Sequence, residues 1–334
     1  MAPTTINIML GTACNWSCSY CLQNKQTGFD KKKDPAEFSE RLVDYLKSNN
    51  INNLNRICYW GGEPLLYTDY VYTIEESLHN IPTVKPNRVI TNGSLIDDQF
   101  VSFVNEKQMM VNLSYHEGQL SDQSWAKALQ IKRLYITSMI SHQNLVWDEF
   151  FNKWQYILDK FGRCVNWYIY PMRATPGVPQ HYWLTLDDLD FYFDYLDWVV
   201  DKAQYNVFYN RMVQILFYSM RKMDYNANNK CYNKHVLSVD LSGNRYFCHH
   251  DCSDKNIVYN IFDKPHNDAV PDNVNNMGER CNHCPLYDSC MGGCFRDLNC
   301  EVSCQYNLRL YAFLNRIRTK YPNLVPPQYY NMIP

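Results

Sequence analysis

Three cysteines near the amino terminus have a spacing that suits metal chemistry. Cys14, Cys18 and Cys21 lie within eight residues in the pattern C-x₃-C-x₂-C, after an apolar run at 6–10 and Gly11. Such a run ending in glycine predicts a strand followed by a loop. Three thiolates on one loop can hold three corners of a cubane iron–sulfur cluster, which four cysteines normally hold. One iron then stays open to a small ligand, and an open metal position distinguishes a reactive site from a structural one.

A structural zinc loop is the alternative interpretation of these cysteines. Zinc loops usually combine C-x₂-C pairs from two places in a chain. Nothing further along the sequence completes a four-ligand set with this triplet alone. The spacing therefore favours the iron–sulfur interpretation.

The remaining composition limits the compartment and the partners. The chain has 14 cysteines among 334 residues, yet the residues before the first predicted strand are too few for a signal peptide. No apolar stretch approaches the roughly 20 residues needed to span a membrane. Many cysteines without a secretion route indicate metal or redox chemistry in a reducing compartment, so we expect a cytoplasmic protein and no membrane partner. A net charge of −2 argues against a broad nucleic-acid footprint.

The elements that must position these cysteines alternate between strand and helix. The predicted strands are 6–10, 56–60, 88–91, 110–115, 134–140 and 164–170, and the predicted helices are 35–49, 69–79, 97–107, 122–130, 147–161, 184–202, 211–223 and 305–320. Six strand–helix units in series predict a parallel sheet with helices outside it. Because a full barrel has eight units, we expect an α/β fold of the partial (β/α)₆ TIM-like barrel type, with an open side for a large substrate.

The composition changes after this region. From about residue 226 the segments are short, cysteines are frequent and long apolar runs are few. Such a region has too little core of its own and needs metal to hold it together. We therefore expect a barrel domain at 1–225, a small cysteine-rich metal-binding domain at 226–310, and a helix with a tail at 311–334.

Further polar or glycine-rich motifs follow the predicted strands. Gly61-Gly62-Glu63-Pro64 follows the second strand, Thr91 and Asn92 end the third, and Ser114 ends the fourth. In parallel barrels the chemistry lies at the carboxyl ends of the strands, so these motifs should converge with the cysteine triplet. Ordinary turn chemistry is the alternative for each motif taken alone.

The cysteine spacing, with the aromatic Tyr20 just before the third cysteine, resembles the radical S-adenosylmethionine (SAM) enzymes. The resemblance implies that SAM chelates the open iron and that reductive cleavage of SAM gives a 5′-deoxyadenosyl radical. It also implies an external electron donor of the flavodoxin or ferredoxin type.

The later motifs extend this resemblance. Gly61-Gly62-Glu63-Pro64 is similar to the family's GGEP segment, whose backbone and glutamate hold the SAM amino group. Thr91-Asn92 is similar to the family's third-strand ending, and Ser114 to its polar contact with the SAM carboxylate or ribose. One departure is His116, which stands where many peptide-modifying relatives have the acid of Ser-x-Asp-Gly; we expect it to contact cofactor or substrate.

The second set of cysteines resembles the SPASM extension of radical SAM enzymes, which holds two auxiliary 4Fe–4S clusters. The resemblance implies that Cys231, Cys248 and Cys294 hold the first, and that Cys281, Cys284 and Cys290 hold the second with either Cys300 or Cys304. Relatives often supply another cysteine in the area of Leu237. Either Cys252 replaces that cysteine as a ligand, or the first auxiliary cluster has an open site. Two structural zinc sites are the alternative.

Because the SPASM extension is common among peptide maturases, the resemblance implies a peptide or protein substrate. A nucleotide or nucleobase modifier is the alternative within the enzymes, since the acid of Ser-x-Asp-Gly is missing. A zinc-binding interaction protein is the alternative from another class.

Overall fold

A computed structural model describes most of the chain. The described residues are 4–25, 34–115, 120–145, 147–163, 165–203, 236–248, 252, 254–263, 279–286 and 297–320. The chain divides into two units, one of residues 1–135 and 233–270 and the other of residues 136–232 and 271–334. Each unit therefore takes part of the predicted barrel and part of the cysteine-rich region.

The described strands are β1 (Thr4–Met9), β2 (Leu54–Trp60), β3 (Arg88–Thr91), β4 (Met110–Ser114), β5 (Leu134–Ile140), β6 (Asn166–Pro171), β7 (Val236–Asp240), β8 (Asn244–Tyr246) and β9 (Ile257–Asn260). The described α-helices are α1 (Pro35–Ser48), α2 (Thr68–Ser77), α3 (Asp98–Glu106), α4 (Asp122–Ala128), α5 (Trp147–Phe161), α6 (Leu186–Ala203) and α7 (Cys300–Lys320). The strands and helices predicted between residues 6 and 202 are all present, with bounds within two residues of those expected.

The sheet of the first unit has the order β4-β3-β2-β1-β7-β8-β9. β1 to β4 pair in parallel, as their alternation with helices predicts. β7 pairs in parallel with the free edge of β1, and β8 and β9 continue as antiparallel strands. The strands β7, β8 and β9 therefore extend the sheet that β1 to β4 form. The sequence analysis did not predict these three strands.

The two faces of this sheet have different environments. The hydroxyl of Tyr59 in β2 donates to the carboxylate of Glu75 in α2 over 2.7 Å, so this face packs against helices. Alternate strand residues point to opposite faces, which places Trp60 on the other side. We call this side the inner face; the register aligns Met9 and Asp240 with Trp60 on it.

Polar side chains fix where the helices of the first unit begin. The carboxylate of Asp34 accepts from the amide of Ala36 at the start of α1, and Pro35 is the first residue of that helix. Asp97 and Ser121 cap α3 and α4 in the same way. Because each cap lies just before the first turn, the loops that follow β1, β3 and β4 end at defined positions.

The second unit contains β5 and β6 as neighbouring strands. The indole of Trp167 donates to the hydroxyl of Ser138 over 2.9 Å inside this pair. Arg309 and Arg316 of α7 pair with Asp190 and Asp197 of α6, in the same direction along both helices. α6 and α7 therefore run parallel.

Two predictions concern helices in the carboxyl-terminal part of the chain. α7 begins at Cys300 rather than at residue 305, so the proposed boundary between 310 and 311 falls inside a continuous helix. The helix expected at 211–223 lies outside the described residues. In the part of the chain that the structure describes, no helix has the length and hydropathy needed to cross a membrane.

Candidate radical SAM site

The first three cysteines lie on the loop that follows β1, residues 11–21, which we call the cluster loop. Cys14 is exposed, while Cys18 and Cys21 are partly buried. The amide of Cys21 donates to the carbonyl of Cys18 over 3.0 Å, which closes the loop into a turn. Tyr20, inside this turn, is also half-buried.

The Gly61-Gly62 turn after β2 lies directly against the backbone of the cluster loop. The amide of Gly62 donates to the carbonyl of Gly11, and the amide of Glu63 donates to the carbonyl of Ala13, each over 2.8 Å. A Cβ atom at Gly62 would lie 2.2 Å from the Ala13 oxygen. A Cβ at Gly61 would lie 2.5 Å from the Gly11 oxygen, and its φ of +147° also favours glycine. Both glycines are therefore required by the approach of two backbones.

The carboxylate of Glu63 points into the protein. It is 1% exposed and accepts hydrogen bonds from the hydroxyl of Thr91 over 2.6 Å, the amide of Asn92 over 2.8 Å and the amide of Leu65 over 2.9 Å. Burial raises the pKa of Glu63, while these three donors lower it.

These contacts give the Glu63 carboxylate a task inside the protein, and its contact with the SAM amino group stays a prediction. The carboxylate accepts from three internal donors, because it caps the 3₁₀ turn that begins at Pro64 and joins it to the end of β3. Pro64 is buried as the first residue of that turn. Glu63 therefore holds the ends of β2 and β3 together.

A network of amide and hydroxyl groups joins the end of β3 to the cluster loop. The side-chain amide nitrogen of Asn92 lies 2.9 Å from the Asn15 oxygen and 4.0 Å from the sulfur of Cys14. The amide of Asn15 in turn donates to the hydroxyl of Ser94 over 2.8 Å. Sequence reasoning missed Asn15 and Ser94; their only signal is that both polar residues directly adjoin a motif.

The thiols of the cluster loop influence one another electrostatically. Burial, together with the nearby thiols of Cys21 and Cys14, raises the pKa of Cys18 to about 11. Burial also raises the pKa of Cys14, with smaller contributions from Glu63 and Cys21. A cationic iron cluster would remove this cost, because thiolates are the form that binds iron. In the described part of the chain, no three His, Cys, Asp or Glu side chains are already arranged as a metal site.

The other predicted contacts of the SAM site are spread around these residues. Thr91 is buried and is a donor to Glu63. Ser114 ends β4 and is half-buried. His116 lies outside the described residues. The structure thus brings the cluster loop together with Glu63, Thr91 and Asn92.

Two of the later cysteines lie in the first unit. Cys248 and Cys252 are both buried, and the Cys252 thiol is 3.6 Å from the Cys248 carbonyl. Cys252 packs with Met9, Trp60 and Tyr246 on the inner face. Leu237 is buried in β7 on the opposite face from its inner-face neighbour Ser238.

Four further cysteines among the described residues lie in the second unit. The amide of Cys284 donates to the carbonyl of Cys281 over 3.1 Å, and the amide of Leu286 donates to the Cys284 sulfur over 3.4 Å. Cys300 and Cys304 are one helical turn apart in the first turns of α7, so their side chains share a face. Cys231, Cys290 and Cys294 lie outside the described residues.

Parallel strands that end in a three-cysteine loop and a Gly-Gly turn have the arrangement that the resemblance to radical SAM enzymes predicts. Residues 8–119 match the model of the Radical SAM superfamily. Residues 8–119 therefore form a radical SAM domain, and the protein is an enzyme with SAM and a 4Fe–4S cluster as its cofactors.

Among curated relatives, the chain is 22% identical to a cysteine-type anaerobic sulfatase-maturating enzyme of Clostridium perfringens, over 94% of this chain and 95% of the relative. It is 32% identical to the GTP 3′,8-cyclase of Chlorobaculum tepidum, over only 33% of this chain and 32% of the relative.

Solved structures confirm the fold class along nearly the whole chain. Native anSMEcpe with bound AdoMet and Cp18Cys peptide superposes with a TM-score of 0.66 at 17% identity, over 94% of this chain and 99% of that one. SuiB of Streptococcus suis bound to the precursor peptide SuiA has a TM-score of 0.63 at 16% identity, over 90% and 76%. The expected partial-barrel fold with a carboxyl-terminal extension is therefore confirmed.

Proposed function

We propose that this enzyme cleaves SAM reductively at the cluster loop and modifies a side chain of a peptide or protein. The observation that carries the proposal is the convergence of three strand ends on one loop. Backbone hydrogen bonds join the Gly61-Gly62 turn to the cluster loop. The side-chain amide nitrogen of Asn92 lies 4.0 Å from the sulfur of Cys14. The site therefore joins the ligands of a cluster to a backbone turn suited to a small cofactor.

The chain's own groups have distinct tasks in this proposal. When bound, SAM and a reduced cluster would supply a 5′-deoxyadenosyl radical for removal of a hydrogen atom from the substrate. Cys14, Cys18 and Cys21 would hold the cluster. The Gly61-Gly62 turn fixes the loop from one side, and Tyr20, Ser114 and His116 contact the cofactor or substrate.

Relatives and structural neighbours that match along most of the chain support a peptide substrate. The curated relative aligned over 94% of this chain matures sulfatases, and two structural neighbours are described with bound peptides. The relatives that act on nucleotides match only about a third of this chain. Matches over so small a share of the chain give no support to a nucleotide substrate. We also propose a cytoplasmic location and a flavodoxin- or ferredoxin-like electron donor.

We further propose two auxiliary 4Fe–4S clusters, held by the cysteine sets described above. Cys248 and Cys252 are buried close together on the inner face, which supports Cys252 as a ligand of the first auxiliary cluster. Cys300 and Cys304 share one face of α7, so either thiol could complete the second. Iron rather than zinc is expected because residues 8–119 match the Radical SAM superfamily model.

The first experiment measures cleavage of SAM. Protein reconstituted anaerobically with iron and sulfide, then reduced with dithionite, should convert SAM to 5′-deoxyadenosine and methionine. Replacing Cys14, Cys18 and Cys21 with alanine should abolish this conversion. Cys58→Ala is the matched control, because Cys58 is a buried cysteine whose sulfur lies 3.5 Å from the Arg88 guanidinium. Zinc in place of iron, or no 5′-deoxyadenosine, would contradict the proposal.

The second experiment tests the substrate class. Deuterated peptides encoded beside the gene and deuterated nucleotides are incubated separately with enzyme and SAM. Deuterium in 5′-deoxyadenosine should come from a peptide. Deuterium transfer from a nucleotide, and from no peptide, would overturn the assignment of a peptide substrate. It would still be consistent with the proposed cleavage of SAM.

A further inference from the structure

The amide of Asn92 has an orientation that its neighbours determine. Its side-chain oxygen accepts hydrogen bonds from the amide of Ser94 over 3.0 Å and from the hydroxyl of Ser94 over 2.7 Å. The oxygen must therefore face Ser94, because the reverse orientation would set donors against donors. The nitrogen consequently faces the cluster loop.

That nitrogen carries two hydrogens and has two acceptors on the cluster loop. One is the Asn15 oxygen at 2.9 Å, and the other is the Cys14 sulfur at 4.0 Å. Asn15 is held in turn by its bond to Ser94. The backbone amide of Asn92 is fixed separately by the buried carboxylate of Glu63, so the donor has little freedom to turn away.

We infer that Asn92 is a positioning residue whose side-chain amide donates to the Cys14 sulfur and thereby raises the reduction potential of the cluster. The inference rests on the proposed function, in which Cys14 is a cluster ligand. Hydrogen bonds to cluster sulfurs are one of the properties that set these potentials. Reduction adds negative charge to the cluster, so a donor stabilises the reduced form more than the oxidised form.

Two hydrogen-bond donors face the Cys14 sulfur, the backbone amide of Trp16 and the side-chain amide of Asn92. A donor stabilises negative charge on the atom that it faces. The backbone donor lies 3.4 Å from the sulfur and cannot be removed by a side-chain change, which leaves Asn92 as the adjustable one.

The test is a redox titration of the reconstituted cluster, followed by electron paramagnetic resonance. The titration uses the enzyme with all its clusters, and the signal of the SAM cluster is identified as the one that changes when SAM is added. Asn92→Ala should lower the equilibrium constant for reduction about threefold to tenfold. Since tenfold is 59 mV for one electron, the potential should become more negative by roughly 30–60 mV. Iron content per chain is measured first.

Ser94→Ala is the matched control, because it removes a member of the same network but leaves the Asn92 donor on Cys14. Its potential should stay close to that of the unchanged enzyme. If Asn92→Ala fails to hold iron, Asn92→Asp keeps the size and the acceptor for Ser94 while replacing the donor, and should show the negative shift.

Two results would overturn the inference. Equal shifts in the Ser94 and Asn92 variants would mean that loosening of the loop, and not the donor, sets the potential. An unchanged potential in the Asn92 variants with full iron content would mean that the amide does not act on the sulfur. In both cases the unsubstituted enzyme would still cleave SAM, so failure here is distinct from failure of the proposed function.

Discussion

Replacing Glu63 with alanine should destabilise the first unit and disturb the cluster loop. The change removes the acceptor of three buried donors, the Leu65 amide, the Thr91 hydroxyl and the Asn92 amide. Each buried donor left without a partner costs about 1–3 kcal/mol. Burial raises the pKa of Glu63, so its ionised form already carries a desolvation cost that offsets part of this loss. We therefore expect the lower end of the sum, about 3 kcal/mol.

Glu63→Gln should cause only part of this loss of stability, because glutamine can keep some of the three contacts. Two of the donors share one carboxylate oxygen, and the third, the Asn92 amide, uses the other. Glutamine can keep the shared acceptor but then presents a donor to the Asn92 amide. We therefore expect the unchanged enzyme to be the most stable, Glu63→Gln to be less stable, and Glu63→Ala to be the least stable.

Melting of the reconstituted protein and SAM affinity together test this reasoning. Glu75→Gln is the matched control, since Glu75 is a second buried glutamate whose partners are Tyr59 and Asn87 on the helix side. It should lower the melting midpoint without changing SAM affinity, whereas the Glu63 variants should lower both. The reasoning is refuted if Glu63→Ala melts at the unchanged temperature, or if it loses SAM affinity at full stability, because the carboxylate would then contact SAM directly.

Four other outcomes are expected. Gly62→Ala should lower iron content and SAM affinity, because its Cβ would lie 2.2 Å from a cluster-loop oxygen; normal values would show that the two backbones separate at no cost. Full reconstitution should give about twelve irons per chain, and alanine at Cys14, Cys18 and Cys21 should remove about four, as iron analysis can show. In iron-free protein, alkylation of Cys18 should speed up about tenfold per pH unit from pH 7 to 10, since its thiolate forms only as pH rises towards a pKa of about 11; a plateau near pH 8.5 would contradict this. Chelation should reduce hydrogen-exchange protection in 231–304 before the barrel, because metal supplies folding energy there, and full protection without metal would argue otherwise.

The sequence predicts the first six strands well for a physical reason. Strands buried on both faces appear as short apolar runs, and the helices between them have a clear apolar stripe. β7, β8 and β9 are five, three and four residues long and carry no such alternation with helices. Their partner strand lies at the other end of the chain, which local patterns do not report.

The site shows a similar limit. The types and spacing of Cys14, Cys18 and Cys21 reveal the cluster chemistry, because few other functions require three thiols so close together. The task of Glu63 depends on which way its carboxylate points, and the residue type alone does not determine that. Asn15 acts through a contact with residues 77 and 79 positions away, which only the folded chain brings together.

The pairing of β7 with β1 has a consequence for synthesis of the chain on the ribosome. The side chains of Asn7 and Ser238, which face each other across this pair, are separated by 231 positions. At roughly 5–20 residues per second, the first strand waits on the order of ten to fifty seconds for its second neighbour. During that time one edge of β1 exposes unpaired backbone groups, which can pair with another nascent chain. A chain truncated before residue 236 keeps that edge open permanently, so it should aggregate even though its cluster loop is intact.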